Sequence, residues 1–178
     1  HSILQGADAV MLSQETAYGK HPVESVSMMA QVARKIEKHY PYRERLTRDA
    51  NRYLEIRSHE VVDAVSAAVV RTAHQVQAKV ILALTESGFT ARMISRYRPA
   101  LPILVLSPNE RTIARSMLYF GCYPVKIDPF TFVSEATDQI RDIVLKHKLA
   151  KKGDRVVLSA GVPFGIQGGT NMLMVIVV

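Results

Sequence analysis

A chain of 178 residues, 48% of them hydrophobic, is long enough to bury the core of one α/β domain with a smaller appendage. Its apolar runs are too short to cross a bilayer, and a lone cysteine, Cys122, excludes an internal disulfide and fits a reducing, cytoplasmic setting. The net charge of +7 invites anionic partners, yet the basic residues are scattered outside positions 43–57 and only 7% of residues are aromatic, which argues against a nucleic-acid module.

Residues 1–6 read as the last turn of a helix closed by Gly6. Residues 7–13 have the pattern of a short buried strand. Pro22 then opens a helix in which Val23, Val26, Met29, Ala30, Ala33 and Ile36 recur at helical spacing to about residue 40. One strand and one helix cannot close a sheet, so residues 1–40 are expected to be one βα unit of something larger. Residues 41–57 carry Arg43, Arg45, Arg48, Arg52 and Arg57 and read as a linker, leaving residues 58–178 as the main domain.

In that domain Ser58 can cap a helix whose stripe is Val61, Val65, Ala68, Val69, Thr72, Ala73 and Val76. The run at residues 80–84 predicts a strand buried on both faces, and Ala91, Ile94 and Tyr97 predict a helix ended by Pro99. Between them stand Thr85, Ser87, Gly88 and Thr90. A strand that turns directly into a helix leaves unpaired backbone N–H groups with the positive end of the dipole behind them, so hydroxyls and a glycine there suit a phosphate. The alternative, that Ser87 or Thr90 only caps the helix, stays open at this point.

The pattern then repeats. Residues 102–106 predict a second strand, Ser107-Pro108-Asn109-Glu110 a capping box for a helix reaching Gly121, and residues 123–127 a third strand preceded by Cys122 as a small buried residue. Val133, Ala136, Ile140, Ile143, Val144 and His147 mark one side of a further helix, and residues 155–160 and 171–178 two more strands. The expected fold is α/β: three layers, α/β/α, with a mostly parallel five-stranded sheet. Its last strand follows the fourth after ten residues without a helix, and is expected to be antiparallel at an edge. The connecting loop holds Gly161, Gly165, Gly168 and Gly169. Loops at the carboxyl ends of parallel strands gather on one side, so this loop and the turn after the first strand should face one pocket.

Taken together, the motifs resemble the C-terminal part of pyruvate kinase. They are Gly6-Ala7-Asp8-Ala9-Val10-Met11-Leu12-Ser13 with Glu15-Thr16-Ala17, and Gly19-x-x-Pro22-Val23-Glu24. Thr85-x-Ser87-Gly88-x-Thr90-Ala91, Arg96-Tyr97-Arg98-Pro99, Lys152-Gly153-Asp154 and Gly168-x-Thr170-Asn171 complete the set. The resemblance implies phosphoryl transfer from phosphoenolpyruvate to ADP, giving pyruvate and ATP with Mg²⁺ and K⁺ in the full-length enzyme. It makes residues 1–40 the last strand and helix of a catalytic (β/α)8 barrel, with Ser13, Glu15 and Thr16 at the barrel mouth and Gln14 departing from the small residue usual there. The family's metal-binding carboxylates and cations lie on earlier barrel strands, so this piece alone is expected to be inactive, with no metal site or cofactor of its own.

For residues 58–178 the resemblance implies an allosteric and assembly domain that pairs within a homotetramer and takes a phosphorylated effector. The implied effector residues are Thr85, Glu86, Ser87, Gly88, Phe89 and Thr90, closed over by Gly165, Gln167, Gly168, Gly169 and Thr170. Glu86 stands where some bisphosphate-activated members have a lysine, and no arginine matches the clamp for a second phosphate. A monophosphate effector, a sugar monophosphate or AMP, is therefore expected, with neither nucleic acid nor membrane as partner. The competing reading is a freestanding phospho-ligand-binding α/β domain.

Overall fold

The continuous apolar runs become the strands of one sheet. The computed structural model describes residues 1–42, 60–129, 133–163 and 169–178, with the backbone alone at 133–136 and 138. The chain divides into two units, His1–Tyr42 and Arg43–Val178.

The first unit holds helices α1 (Ser2–Gln5), α2 (Gln14–Ala17) and α3 (Pro22–Glu37). Gly6 closes α1 in the left-handed conformation, its N–H donating to the carbonyls of Ile3 and Ser2, as expected from the sequence. The strand expected at residues 7–13 is absent: Met11 is 87% exposed and no ladder forms. A strand needs neighbours for its backbone N–H and C=O groups, and the described residues of this unit offer none. The expected stripe of α3 is only partly covered: Val23 and Val26 are exposed, Met29, Ala30, Ala33 and Ile36 are half-buried, and no residue of the helix is fully buried.

The second unit contains α4 (Val61–Gln75), β1 (Ile81–Leu84), α5 (Phe89–Ser95), β2 (Ile103–Ser107) and α6 (Glu110–Ser116). It continues with β3 (Cys122–Lys126), α7 (Val133–Lys146), β4 (Arg155–Gly161) and β5 (Thr170–Val177). The sheet order is β3-β2-β1-β4-β5; β5 alone is antiparallel and lies at an edge. Every residue of β1 and β2 is buried, the signature of a parallel strand covered on both faces. β3 forms the other edge and tolerates Pro124 there, where one side of the strand has no ladder to maintain; Cys122 is half-buried.

Two clusters flank the sheet. On one face Val69, Val70 and Ala73 of α4 and Ala91 and Ile94 of α5 pack with Ile81, Ala83, Ile103 and Val157. On the other, Ile140 and Val144 of α7 pack with Leu82, Leu84, Leu158 and Ala160. The buried face of α4 is turned from the expected stripe, because Val61 and Ala68 are exposed while Ser66 and Val70 are buried. His147 is likewise exposed beyond the end of α7, and the side chains of Val133 and Ala136 lie outside the described residues.

The capping box at Ser107 resolves differently. Asn109 is the N-cap of α6, its Oδ1 accepting from the Arg111 N–H at 3.0 Å, while Ser107 Oγ accepts from the Asn109 N–H at 3.2 Å. The helix stops at Ser116 rather than Gly121. Tight turns follow, in which the Leu118 N–H donates to Arg115 O and the Tyr119 N–H to Ser116 O. Ser95 Oγ fixes the end of that segment by donating to Phe120 O at 2.7 Å. The N-cap of α4 is Glu60 rather than the expected Ser58, and its side chain makes no capping bond; residues 43–57 of the expected linker and Ser58 itself lie outside the described residues.

Candidate functional site

The strand order reverses direction at β1: β2 and β3 lie to one side, β4 and β5 to the other. At such a switch point the loops leaving two adjacent parallel strands part company and open a crevice at their carboxyl ends. Here those strands are β1 and β4, paired through Ile81↔Val157 and Ala83↔Ser159, and they lead into Thr85 and Gly161.

The turn after β1 is built from hydroxyls. Thr85 Oγ1 accepts from the Gly88 N–H at 3.0 Å, a buried bond that folds the turn back on itself. Gly88 holds φ +81, where a side chain would be strained, and a Cβ there would lie 3.4 Å from both Ser116 Oγ and Thr112 Cγ2. Thr112 of α6 donates through Oγ1 to the Glu86 carbonyl at 2.7 Å, so the turn is anchored from the next helix as well. The Glu86 side chain points to solvent, Ser87 and Phe89 are half-buried, and Arg92 stands over the Phe89 ring with its Cζ 5.4 Å from the centroid.

Thr90, in the first turn of α5, is buried, and its Oγ1 lies 2.7 Å from Oγ1 of Thr170 at the start of β5. One hydroxyl proton bridges the pair and the other remains available to a third group. The Thr85 hydroxyl, acting as acceptor toward Gly88, also keeps its proton. Polar donors and the first-turn N–H groups of α5 therefore collect where β1 ends, with Thr170 reaching them from β5.

The structure thus brings Thr85, Gly88, Thr90 and Thr170 together, with Ser87 and Phe89 in the same turn. Gly169 lies against Gly161, where a Cβ on residue 161 would come within 2.8 Å of the Gly169 carbonyl oxygen. Gly165, Gln167 and Gly168 fall outside the described residues. Ser13, Glu15 and Thr16 belong to the first unit and form a local cap. The Ser13 N–H donates to Glu15 Oε2 at 3.0 Å, and Thr16 Oγ1 donates to Ser13 O at 3.1 Å. The backbone N–H groups of Glu15 and Ser13 hold the Glu15 carboxyl below its usual range.

Residues 63–176 match the sequence model of the family described as "Pyruvate kinase, alpha/beta domain". The chain is 39% identical to a pyruvate kinase of Agrobacterium vitis over 98% of its length and 36% of that protein's. It is 37% identical to the pyruvate kinase of Lactobacillus delbrueckii subsp. bulgaricus over 97% of its length and 29% of that protein's. For the pyruvate kinase of Clostridium perfringens the figures are 34%, 98% and 36%. The chain belongs to the pyruvate kinase family.

It spans about a third of the length of these relatives, from 29% to 36%. The matched region is the pyruvate kinase α/β domain, which contains the β1–α5 turn and β5. Glu15 is a single carboxylate already accepting a backbone N–H, and the described residues contain no cluster of three His, Cys, Asp or Glu side chains. No helix among the described residues is long and apolar enough to cross a membrane.

Sequence reasoning singled out the turn together with Thr90 and Thr170, but not the bond between those two hydroxyls, the anchoring of the turn by Thr112, or any role for Asn171. Thr112 sits at the fourth position after Pro108 on the inner face of α6, a pattern that signals burial but not a carbonyl partner 26 residues away. Asn171 was visible only as part of the closing Gly-x-Thr-Asn motif.

Proposed function

We propose that this chain is the allosteric and assembly domain of a pyruvate kinase, and that the crevice at the ends of β1 and β4 takes a phosphorylated effector. The observation that carries this reading is the hydroxyl set of Thr85, Thr90 and Thr170 gathered at the switch point, beside the first turn of α5. A phosphate oxygen accepts hydrogen bonds only, and the set offers free hydroxyl protons together with backbone N–H groups. Ser87, Glu86, Phe89 and Gly169 border it, and Glu86, a carboxylate without a partnering cation in the turn, disfavours a second phosphate. A sugar monophosphate or AMP is the expected ligand class.

The full-length enzyme would transfer the phosphoryl group of phosphoenolpyruvate to ADP in glycolysis, in the cytoplasm, with Mg²⁺ and K⁺ bound by its catalytic barrel. Ser13, Glu15 and Thr16 would stand at that barrel's mouth. Two copies of this domain would pair within a homotetramer, so that effector binding is felt across subunit interfaces as a coupling free energy. By itself the chain is expected to form no pyruvate from phosphoenolpyruvate and ADP.

Thermal melting with AMP or ribose 5-phosphate tests the reading. A ligand at ten times its Kd stabilises by about 1.4 kcal/mol, enough to raise the melting temperature by several degrees. The shift should shrink when Ser87, which makes no bond within the described turn, is replaced by Ala. No shift with either ligand, or a shift indifferent to Ser87→Ala, places the effector elsewhere.

A further inference from the structure

The ladder between β4 and β5 carries one extra residue. Ala160 pairs with Met172 and Gly161 with Thr170, so Asn171 has no partner across the strands. Its side chain supplies the missing pairing. Asn171 Oδ1 accepts from the Val162 N–H at 2.9 Å, and Nδ2 donates to the Val162 carbonyl at 2.7 Å. The carboxamide thus makes toward Val162 the two bonds a strand residue would make with its backbone.

The extra residue changes which face Thr170 presents. Residues paired across an antiparallel ladder share a face, and successive residues alternate. Met172 and its partner Ala160 pack on the α7 side of the sheet, while Leu173 and Val157 pack on the α4–α5 side. Unbroken alternation from Met172 would send Thr170 to the α7 side. The bulge instead pairs it with Gly161 and turns it to the α5 side, where its hydroxyl meets that of Thr90 at 2.7 Å. Gly161 permits the approach, since a Cβ there would lie 2.8 Å from the Gly169 carbonyl oxygen.

We propose that Asn171 is a positioning residue for the ligand crevice: by holding the bulge it aims Thr170 at Thr90, and so presents that pair's free hydroxyl proton to a phosphate-bearing ligand. The ligand half rests on the effector reading above; the aiming of Thr170 does not. Asn171 touches no ligand and acts through Thr170.

The test compares this chain with Asn171→Ala, Asn171→Asp and Thr170→Val. AMP is the titrated probe, and the ligand-free proteins are read by amide exchange at Val162 and by the nuclear Overhauser contact between the Thr90 and Thr170 methyl groups. Asn171→Ala is expected to lose Val162 protection and the methyl contact, and to weaken AMP about tenfold. Thr170→Val should weaken AMP by a similar factor with Val162 still protected, and carries the test if Asn171→Ala does not fold. Asn171→Asp separates hydrogen bonding from space-filling. At neutral pH its carboxylate still accepts from the Val162 N–H but has no donor for the Val162 carbonyl, so Val162 should stay protected while the Thr90–Thr170 methyl contact weakens; protonation restores the donor and should bring the contact back as the pH falls. A methyl contact in Asn171→Asp that is indifferent to pH, or AMP affinity unchanged in Asn171→Ala or Thr170→Val, overturns the proposal. AMP failing to bind the unaltered chain overturns the effector reading and the ligand half with it. The exchange data and methyl contact then still decide whether Asn171 aims Thr170.

Discussion

Thr90 Oγ1 and Thr170 Oγ1 share a buried hydrogen bond of 2.7 Å although 80 residues separate them in the chain. The bond ties the first turn of α5 to the start of β5 across the end of β4. Removing one hydroxyl leaves the other buried and unpaired, a loss of about 1–3 kcal/mol, whereas removing both leaves no orphan. Thr90→Val and Thr170→Val are each expected to destabilise the domain by about 1–2 kcal/mol, and the double variant by clearly less than the sum. Urea unfolding of the four proteins measures the coupling directly; strictly additive losses would show that the two hydroxyls act independently.

Most of the sheet was legible because parallel strands buried on both faces have no choice but to be continuously apolar: residues 81–84, 103–106 and 156–158 could hardly be anything else. The antiparallel edge strand followed from a connection too short for a helical crossover. The turn Thr85–Thr90 could be located for the same local reason, as hydroxyls and a glycine between two strong patterns. What stayed hidden depends on pairing between distant segments. The bulge at Asn171 exists only in the register of β4 against β5, and the Thr112–Glu86 bond only in the approach of α6 to the turn. The strand expected at residues 7–13 shows the reverse case: an apolar run forms a ladder only where neighbouring strands receive it.

Gly88 is fixed by its backbone rather than by crowding. At φ +81 an alanine carries about 1–2 kcal/mol of strain, while the nearest atoms to its Cβ, at 3.4 Å, are in ordinary contact. Gly88→Ala should therefore lower stability by about 1–2 kcal/mol in denaturant unfolding. Relief of the strain by rotation of the turn would break the bond from the Gly88 N–H to Thr85 Oγ1, exposing that amide to exchange. A variant as stable as the unaltered chain would mean that the turn does not need the left-handed conformation.

Glu110 and Lys126 form an exposed ion pair, with Lys126 Nζ 2.6 Å from Glu110 Oε1, joining the start of α6 to the end of β3. The bond from Lys126 and its charge hold the Glu110 carboxyl below the reference value of 4.5. A depressed carboxyl contributes stability above its unfolded pKa and loses it as the pH falls through the lower folded value, so the pair acts at neutral pH and fades in the acid range below 4.5. Carboxyl titration by NMR should find the Glu110 pKa depressed, and Lys126→Met or 1 M salt should return it toward the reference, since exposed pairs are screened. A pKa unmoved by both changes would remove the pair from the account of how α6 is seated.

The two units predict opposite responses to the same kind of change. Ile94 of α5 is fully buried between the sheet and α4, in contact with the cluster that includes Val69, Ala73 and Ile103. Ile94→Ala removes apolar volume that close-packed neighbours cannot refill, and is expected to destabilise the α/β domain by about 2–5 kcal/mol. Val23 of α3 is 72% exposed, so Val23→Ser removes little from the core and should change the unfolding free energy by less than about 0.5 kcal/mol. Its effect should instead be on solubility, because Val26 and Val32 leave apolar surface open along the same helix, and each polar substitution there reduces the area available for self-association. Denaturant unfolding paired with light scattering separates the two quantities. A large stability loss from Val23→Ser would show that α3 is packed against other protein after all, and a small loss from Ile94→Ala would show that the α5 side of the sheet is loosely filled.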